Sequence, residues 1–116
     1  MPAITQVGNS DFWTKVRDSE EPAVVEFWAT WCGLCRAFAP TLEQFADDNA
    51  ARLRVFAVNV GNEPDIAREY GVTSTPTTLV FHHGKVVRSI KGVRSRSELD
   101  RELADFLRVP AAPAGE

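Results

Sequence analysis

Apolar residues change their spacing from one segment of this chain to the next, and each change marks an element. Val24 to Ala29 is a nearly continuous apolar run, as in a strand covered on both faces, with Glu26 its one charged member. Ile4 to Val7 predicts a short first strand and Leu53 to Val60 a second buried one. Thr77 to Phe81 and Val86 to Lys91 predict two more, joined by a hairpin connection at His82-His83-Gly84-Lys85. Between strands the period lengthens to that of a helix. Phe12, Trp13 and Val16 give the apolar face of a helix capped by Asn9 or Ser10 and ending near Asp18. From Cys32 onward Phe38, Leu42, Phe45 and Ala46 form a helical stripe, with Pro40 inside it expected to kink the axis. Pro64 opens a short helix that Gly71 closes. Ser95-Arg96-Ser97-Glu98 is a capping box, and Leu99, Leu103, Phe106 and Leu107 continue as the stripe of the last helix.

The order βαβαβ, then α, then ββα predicts an α/β fold: a central mixed five-stranded sheet flanked by four helices. Residues 1–108 read as one domain, and 109–116, rich in Pro, Ala and Gly, as a flexible C-terminal tail. A chain of 116 residues can bury a full core without staples. Its net charge of −3, with acids and bases mixed, leaves no basic face for nucleic acid. No apolar stretch approaches the roughly 18 residues of a membrane span. Asp11, Lys15, Arg17, Asp18 and Glu20 interrupt the region where a signal peptide would lie, so a cytoplasmic location is expected. With no long apolar surface stripe left over, a monomer is expected.

Candidate chemistry concentrates in one turn. The chain has two cysteines, Cys32 and Cys35, placed where a strand gives way to a helix. A helix start offers free N–H groups and a positive dipole end, both of which stabilise a thiolate. Cys32 is therefore the expected nucleophile, and Cys35, one turn further in, the thiol that resolves a mixed disulfide. Two other readings are weaker. Zinc needs about four ligands, and only His82 and His83 could join the cysteines; adjacent residues on a strand point to opposite faces. A structural disulfide closing so short a loop constrains little of the unfolded chain.

Cys-x-x-Cys beside a βαβ pattern is a recognised sign of a thioredoxin-like redox motif. Nearly the whole chain, from about Ile4 to Leu107, resembles the thioredoxin family. The resemblance rests on Phe27-Trp28-Ala29-x-Trp31-Cys32-Gly33-x-Cys35, Pro40, Tyr70-Gly71-Val72, Thr75-Pro76-Thr77 and Gly92. It implies a thioredoxin fold and a protein-disulfide reductase with no bound cofactor or metal, its electrons carried by a Cys32–Cys35 redox-active disulfide. It also implies that Pro76 is cis and lies against the disulfide. Trp31, Gly33, Leu34, Thr75, Pro76, Gly92 and Val93 would rim an apolar groove for an extended client segment, with the Thr75 backbone pairing to it as an added strand does. Trp28 would pack beneath the site. The implied partners are client proteins with disulfides and an NADPH-dependent flavoprotein thioredoxin reductase.

Three positions depart from the family pattern. Leu34 replaces a common proline and restores a backbone N–H near Cys32, which should favour the reduced form and make the protein more oxidising. That keeps a thiol-disulfide oxidase or isomerase as the alternative, and a non-catalytic binding module as a second. Glu26 stands where a buried aspartate is usual and would accept the Cys35 proton. Ala57 replaces a lysine often found beside that carboxylate, so Glu26 should be harder to ionise. His82 and His83 are assigned no role. Arg88, Lys91, Arg94, Arg96 and Arg101 are expected to form a solvated face.

Overall fold

Five strands, β1 (Ile4–Gln6), β2 (Ala23–Trp28), β3 (Arg54–Asn59), β4 (Thr77–His82) and β5 (Lys85–Lys91), form one sheet in the computed structural model, which describes residues 3–107. Their order is β1-β3-β2-β4-β5. β1 and β2 run parallel to β3 on either side of it, and β4 and β5 are antiparallel additions. β2 is therefore central and covered on both faces, as its continuous apolar run requires. The tail expected at 109–116, and with it the boundary at 108, lies outside the described residues.

Alternation along β2 divides the core in two. Ala23, Val25 and Phe27 face a layer with Phe12, Val16, Ile66 and Phe81. Val24 faces the opposite layer with Phe38, Leu42, Phe45, Leu99 and Leu103. Glu26, two residues on from Val24, shares that second face. The helix α1 (Gly33–Asp48) covers it with Phe38, Leu42, Phe45 and Ala46, the stripe expected from the sequence, and runs through Pro40.

Helix α2 (Pro64–Glu69) ends in a Schellman motif. Val72 N–H donates to Ala67 O at 2.9 Å and Gly71 N–H to Arg68 O at 3.2 Å, with Gly71 at φ +67°, a conformation glycine adopts without a Cβ penalty. The hairpin between β4 and β5 is tighter than expected. His82 and Lys85 pair within the strands, leaving His83 (φ 53°) and Gly84 (φ 81°) as a two-residue turn, whose positive angles match the twist of the strands.

The helices differ from expectation at both ends of the chain. The first is a short π-helical stretch at Trp13–Arg17. Neither Asn9 nor Ser10 caps it; the Asp11 carboxylate instead reaches back to accept the Gly8 N–H at 2.8 Å. The last is broken at Leu103 into α3 (Arg96–Glu102) and α4 (Ala104–Leu107). Its start is as read: the Ser95 side chain and Glu98 form the reciprocal capping box. Beyond the break Phe106 stands edge-on to His82 (6.2 Å) and beneath the Arg88 guanidinium (5.4 Å), a long-range contact that helical spacing does not encode. In place of four helices, the described residues thus hold α1 to α4 and the π-helical stretch.

Candidate active site

Three loops meet at one end of the sheet. β2 runs out at Trp28 into the Cys32 turn; the Phe27–Thr77 register sets Pro76 beside that exit, and the Thr77–Lys91 register brings Gly92 alongside. Gly92 N–H donates to Pro76 O at 2.8 Å, tying the second loop to the third. The Thr75–Pro76 bond is cis.

Cys32 is the N-cap of α1, with extended backbone, and Cys35 lies in the first turn. The two are disulfide-bonded, with Cα atoms 5.3 Å apart. The Cys35 N–H donates to Cys32 Sγ at 3.0 Å, so the sulfur occupies the place that a serine or aspartate oxygen takes at an ordinary N-cap. A helix start that directs N–H groups at Cys32 stabilises negative charge there when the bond is reduced. Both sulfur-bearing side chains are largely buried, Cys35 more so.

Around this turn the surface is apolar and exposed. Trp31 is 70% exposed, Leu34 60% and Val93 40%, and Gly33 is open as well. Thr75 is half-buried and Pro76 buried. Among the described residues no hydrogen bond engages the Thr75 N–H or C=O, which leaves both free for an added strand. The Trp31 ring lies over Gly61, where a built Cβ would come within 3.0 Å of Cζ3 and 3.1 Å of Cη2.

Behind the disulfide lies Glu26. It is 6% exposed, and among the described residues its Oε2 has no hydrogen-bond partner. Burial pushes its carboxyl from 4.5 up to about 7. It lines a cleft of about 570 Å³ together with Cys35, Trp28, Ala39 and Ala57, so Glu26 and Cys35 border the same space. Ala57 is the direct cross-strand neighbour of Glu26 on β3 and supplies no cation. Thr78, its neighbour on β4, has a fully buried hydroxyl that likewise lacks a partner among the described residues.

Several supporting residues escaped the sequence reading. Gln6 Oε1 accepts from Trp28 Nε1 at 3.1 Å and holds the indole against the cleft; Arg36 Nη1 donates to Thr30 O at 2.9 Å and braces the turn before Cys32. Arg36 could have been suspected from its place beside Cys35. Gln6 carried no signal, because the β1–β3 pairing that brings it there is long-range. His82 and His83 stack at 4.1 Å, because His83 leaves the strand at the turn, contrary to the opposite-face expectation. Among the described residues no group of three or more His, Cys, Asp and Glu is placed to hold a metal. Most of the basic cluster is committed to ion pairs: Arg88 with Asp105 (2.9 Å), Arg94 with Glu102 (2.9 Å), and Arg96 with Asp48 (2.6 Å) and Asp100 (2.9 Å).

Comparison with known proteins agrees with this geometry. The family model described as Thioredoxin matches residues 3–105. A thioredoxin of Mycobacterium tuberculosis is 41% identical over 105 residues, covering 90% of each chain. Thioredoxin 1 of a Nostoc species is 36% identical over 107 residues, 92% of this chain and 100% of the relative. The bifunctional thioredoxin reductase/thioredoxin of Mycobacterium leprae is 39% identical over 102 residues, 88% of this chain and 22% of that longer protein.

Proposed function

The chain belongs to the thioredoxin family and is a thiol–disulfide oxidoreductase; from that premise we propose how its residues divide the work. Reduced Cys32, as thiolate, attacks one sulfur of a client disulfide. The client S–S bond breaks, a Cys32–client disulfide forms, and the first client thiolate leaves and takes a proton from water. Glu26, ionised, accepts the Cys35 proton through the cleft. Cys35 then attacks Cys32 Sγ, which expels the second client thiolate and leaves the Cys32–Cys35 disulfide. Two electrons have passed to the client and both of its sulfurs end as thiols.

The observation that carries this reading is the Cys32 sulfur seated at the N-cap of α1, with the Cys35 N–H directed at it from one turn away. Trp31, Gly33, Leu34, Thr75, Pro76, Gly92 and Val93 form the client groove. The exposed apolar side chains of Trp31, Leu34 and Val93, and a Thr75 backbone unpaired among the described residues, support the placing of an extended segment there. Family partners are disulfide-containing clients and a thioredoxin reductase; the reductase for this chain is an NADPH-dependent flavoprotein, and the protein acts as a cytoplasmic monomer without bound cofactor. No helix among the described residues is long and apolar enough to cross a membrane.

Insulin reduction with dithiothreitol tests the assignment. The wild type accelerates precipitation of the insulin chains, and Cys32→Ser with Cys35→Ser abolishes the acceleration. Retained activity in the double variant would make the fold a binding module and remove the electron-carrier account.

A further inference from the structure

The cleft beneath the disulfide is larger than one proton acceptor needs. At about 570 Å³ it falls within the 300–1,000 Å³ typical of small-molecule sites. Its walls are largely apolar, with Ile4 and Ala57 from the sheet, Trp28 at the strand end and Ala39 from α1. Of the polar side chains in its lining, Gln6, Glu26, Thr30, Arg36 and Glu43, Glu26 is the buried one, more than nine-tenths so, with Oε2 unmatched by any donor among the described residues. A buried acceptor without a donor is costly, and a ligand that brings the donor recovers that cost. The ligand must be narrow, mostly hydrocarbon, and end in a donor. A cationic donor is favoured, because a hydrogen bond between an ionised donor and a carboxylate is about twice as strong as a neutral one.

We propose that the cleft between β3 and α1 is a binding site for small primary alkylamines, with the ammonium group on Glu26 and the alkyl chain along Ile4, Trp28, Ala39 and Ala57. Charge at the rim is compatible with entry. Glu43 faces the same space, and Arg36, the cation there, is drawn toward Thr30 O. Among the described residues, the other groups that share the cleft or flank Glu26 carry no charge, with Gln6 and Ile4 on β1, Ala57 on β3 and Thr78 on β4, while Cys35 is held in the disulfide. A bound amine would occupy the space through which Cys35 passes its proton, so occupancy slows resolution of the mixed disulfide. That second consequence rests on the proton role proposed above; the binding does not.

The test is a titration of the oxidised full chain with n-butylammonium chloride at constant ionic strength and pH 8, followed by amide and indole nitrogen–proton shifts. A ligand of five heavy atoms predicts a Kd on the order of millimolar. The expected result is saturable shifts of the Trp28 indole and the Ala57 amide, with n-butanol at least about tenfold weaker. Ala39→Leu, on the exposed surface of α1, and Ala57→Leu should each fill the cleft and abolish saturation. Glu26→Gln should weaken binding about tenfold and remove its loss on going to pH 5.5, which separates Glu26 from Glu43. Shifts that stay linear, or binding that survives all three substitutions, would overturn the site. Insulin turnover at saturating amine reads the proton role separately, since unchanged turnover with confirmed binding counts against Glu26 as acceptor and leaves the site standing.

Discussion

Replacing Glu26 by glutamine should flatten the pH dependence of stability. Glu26 lies almost wholly out of water, with Oε2 unpaired among the described residues, and burial pushes its carboxyl up to about 7 in the fold against 4.5 for the free group. Between those values the native state holds a proton that the unfolded chain has released. Stability must then fall as pH rises, because the slope follows the protons bound by the unfolded state less those bound by the native one. The contribution is fully present below about pH 4.5 and lost as pH passes through about 7. At about 1.4 kcal/mol per pH unit, the interval corresponds to about 3 kcal/mol. That is a large share of the 5–15 kcal/mol typical of a domain, and on the order of 12 °C in Tm for a chain of this size. Urea unfolding of the oxidised protein from pH 4.5 to 9, wild type against Glu26→Gln, measures it from the midpoints at constant m. The difference between the two should change by about 3 kcal/mol in favour of glutamine as pH rises. A difference that stays constant across the range would mean that Glu26 is hydrated and titrates as an ordinary carboxyl.

The same Glu26→Gln variant should slow the resolving step near neutral pH while leaving the rate of Cys32 alkylation by iodoacetamide almost unchanged; an unaltered rate of insulin reduction removes Glu26 from the mechanism. Leu34→Pro should give a more negative reduction potential in equilibration with glutathione, since it deletes a backbone N–H from the first turn of the helix that Cys32 caps; equal or reversed potentials reject a role for that N–H. Thr78→Val should be neutral or stabilising by about 1 kcal/mol, because the buried hydroxyl has no partner to lose among the described residues; a loss above that size in urea unfolding would show the hydroxyl to be bonded. Gly61→Ala should displace the Trp31 ring, which already lies within 3.0 Å of the added carbon, and raise KM for insulin with kcat little changed. Unchanged Trp31 fluorescence and KM would place that ring outside the client groove.

Much of the fold was legible because its causes are local. Continuous apolar spacing at Val24–Ala29 marked the central strand, and a stripe at Phe38, Leu42 and Phe45 marked the helix that covers it. Gly71 and the Ser95–Glu98 box closed and opened helices by hydrogen bonds within a few residues. The break at Leu103 was not legible: the apolar period runs through it, and the contacts of Phe106 that accompany it come from β4 and β5. The π-helical form of the Trp13–Arg17 stretch was equally hidden, since its apolar face suits an α-helix as well.

At the active turn, the amino-acid order alone predicted that one cysteine would stand at a helix start and a second one turn later, because strand, turn and helix start are contiguous; that the first sulfur caps the helix came from the structure. What the order could not settle is the environment of Glu26. Its desolvation follows from burial among residues distant in sequence, and only the registers of β2 with β3 and β4 set Ala57 and Thr78 on its two sides. Side-chain periodicity repeats every two or four residues and is written in the chain; solvent exclusion and an open cleft depend on which distant residues arrive together. The tertiary structure therefore decided the titration of that carboxyl, the space in front of it, and the hold of Gln6 on Trp28.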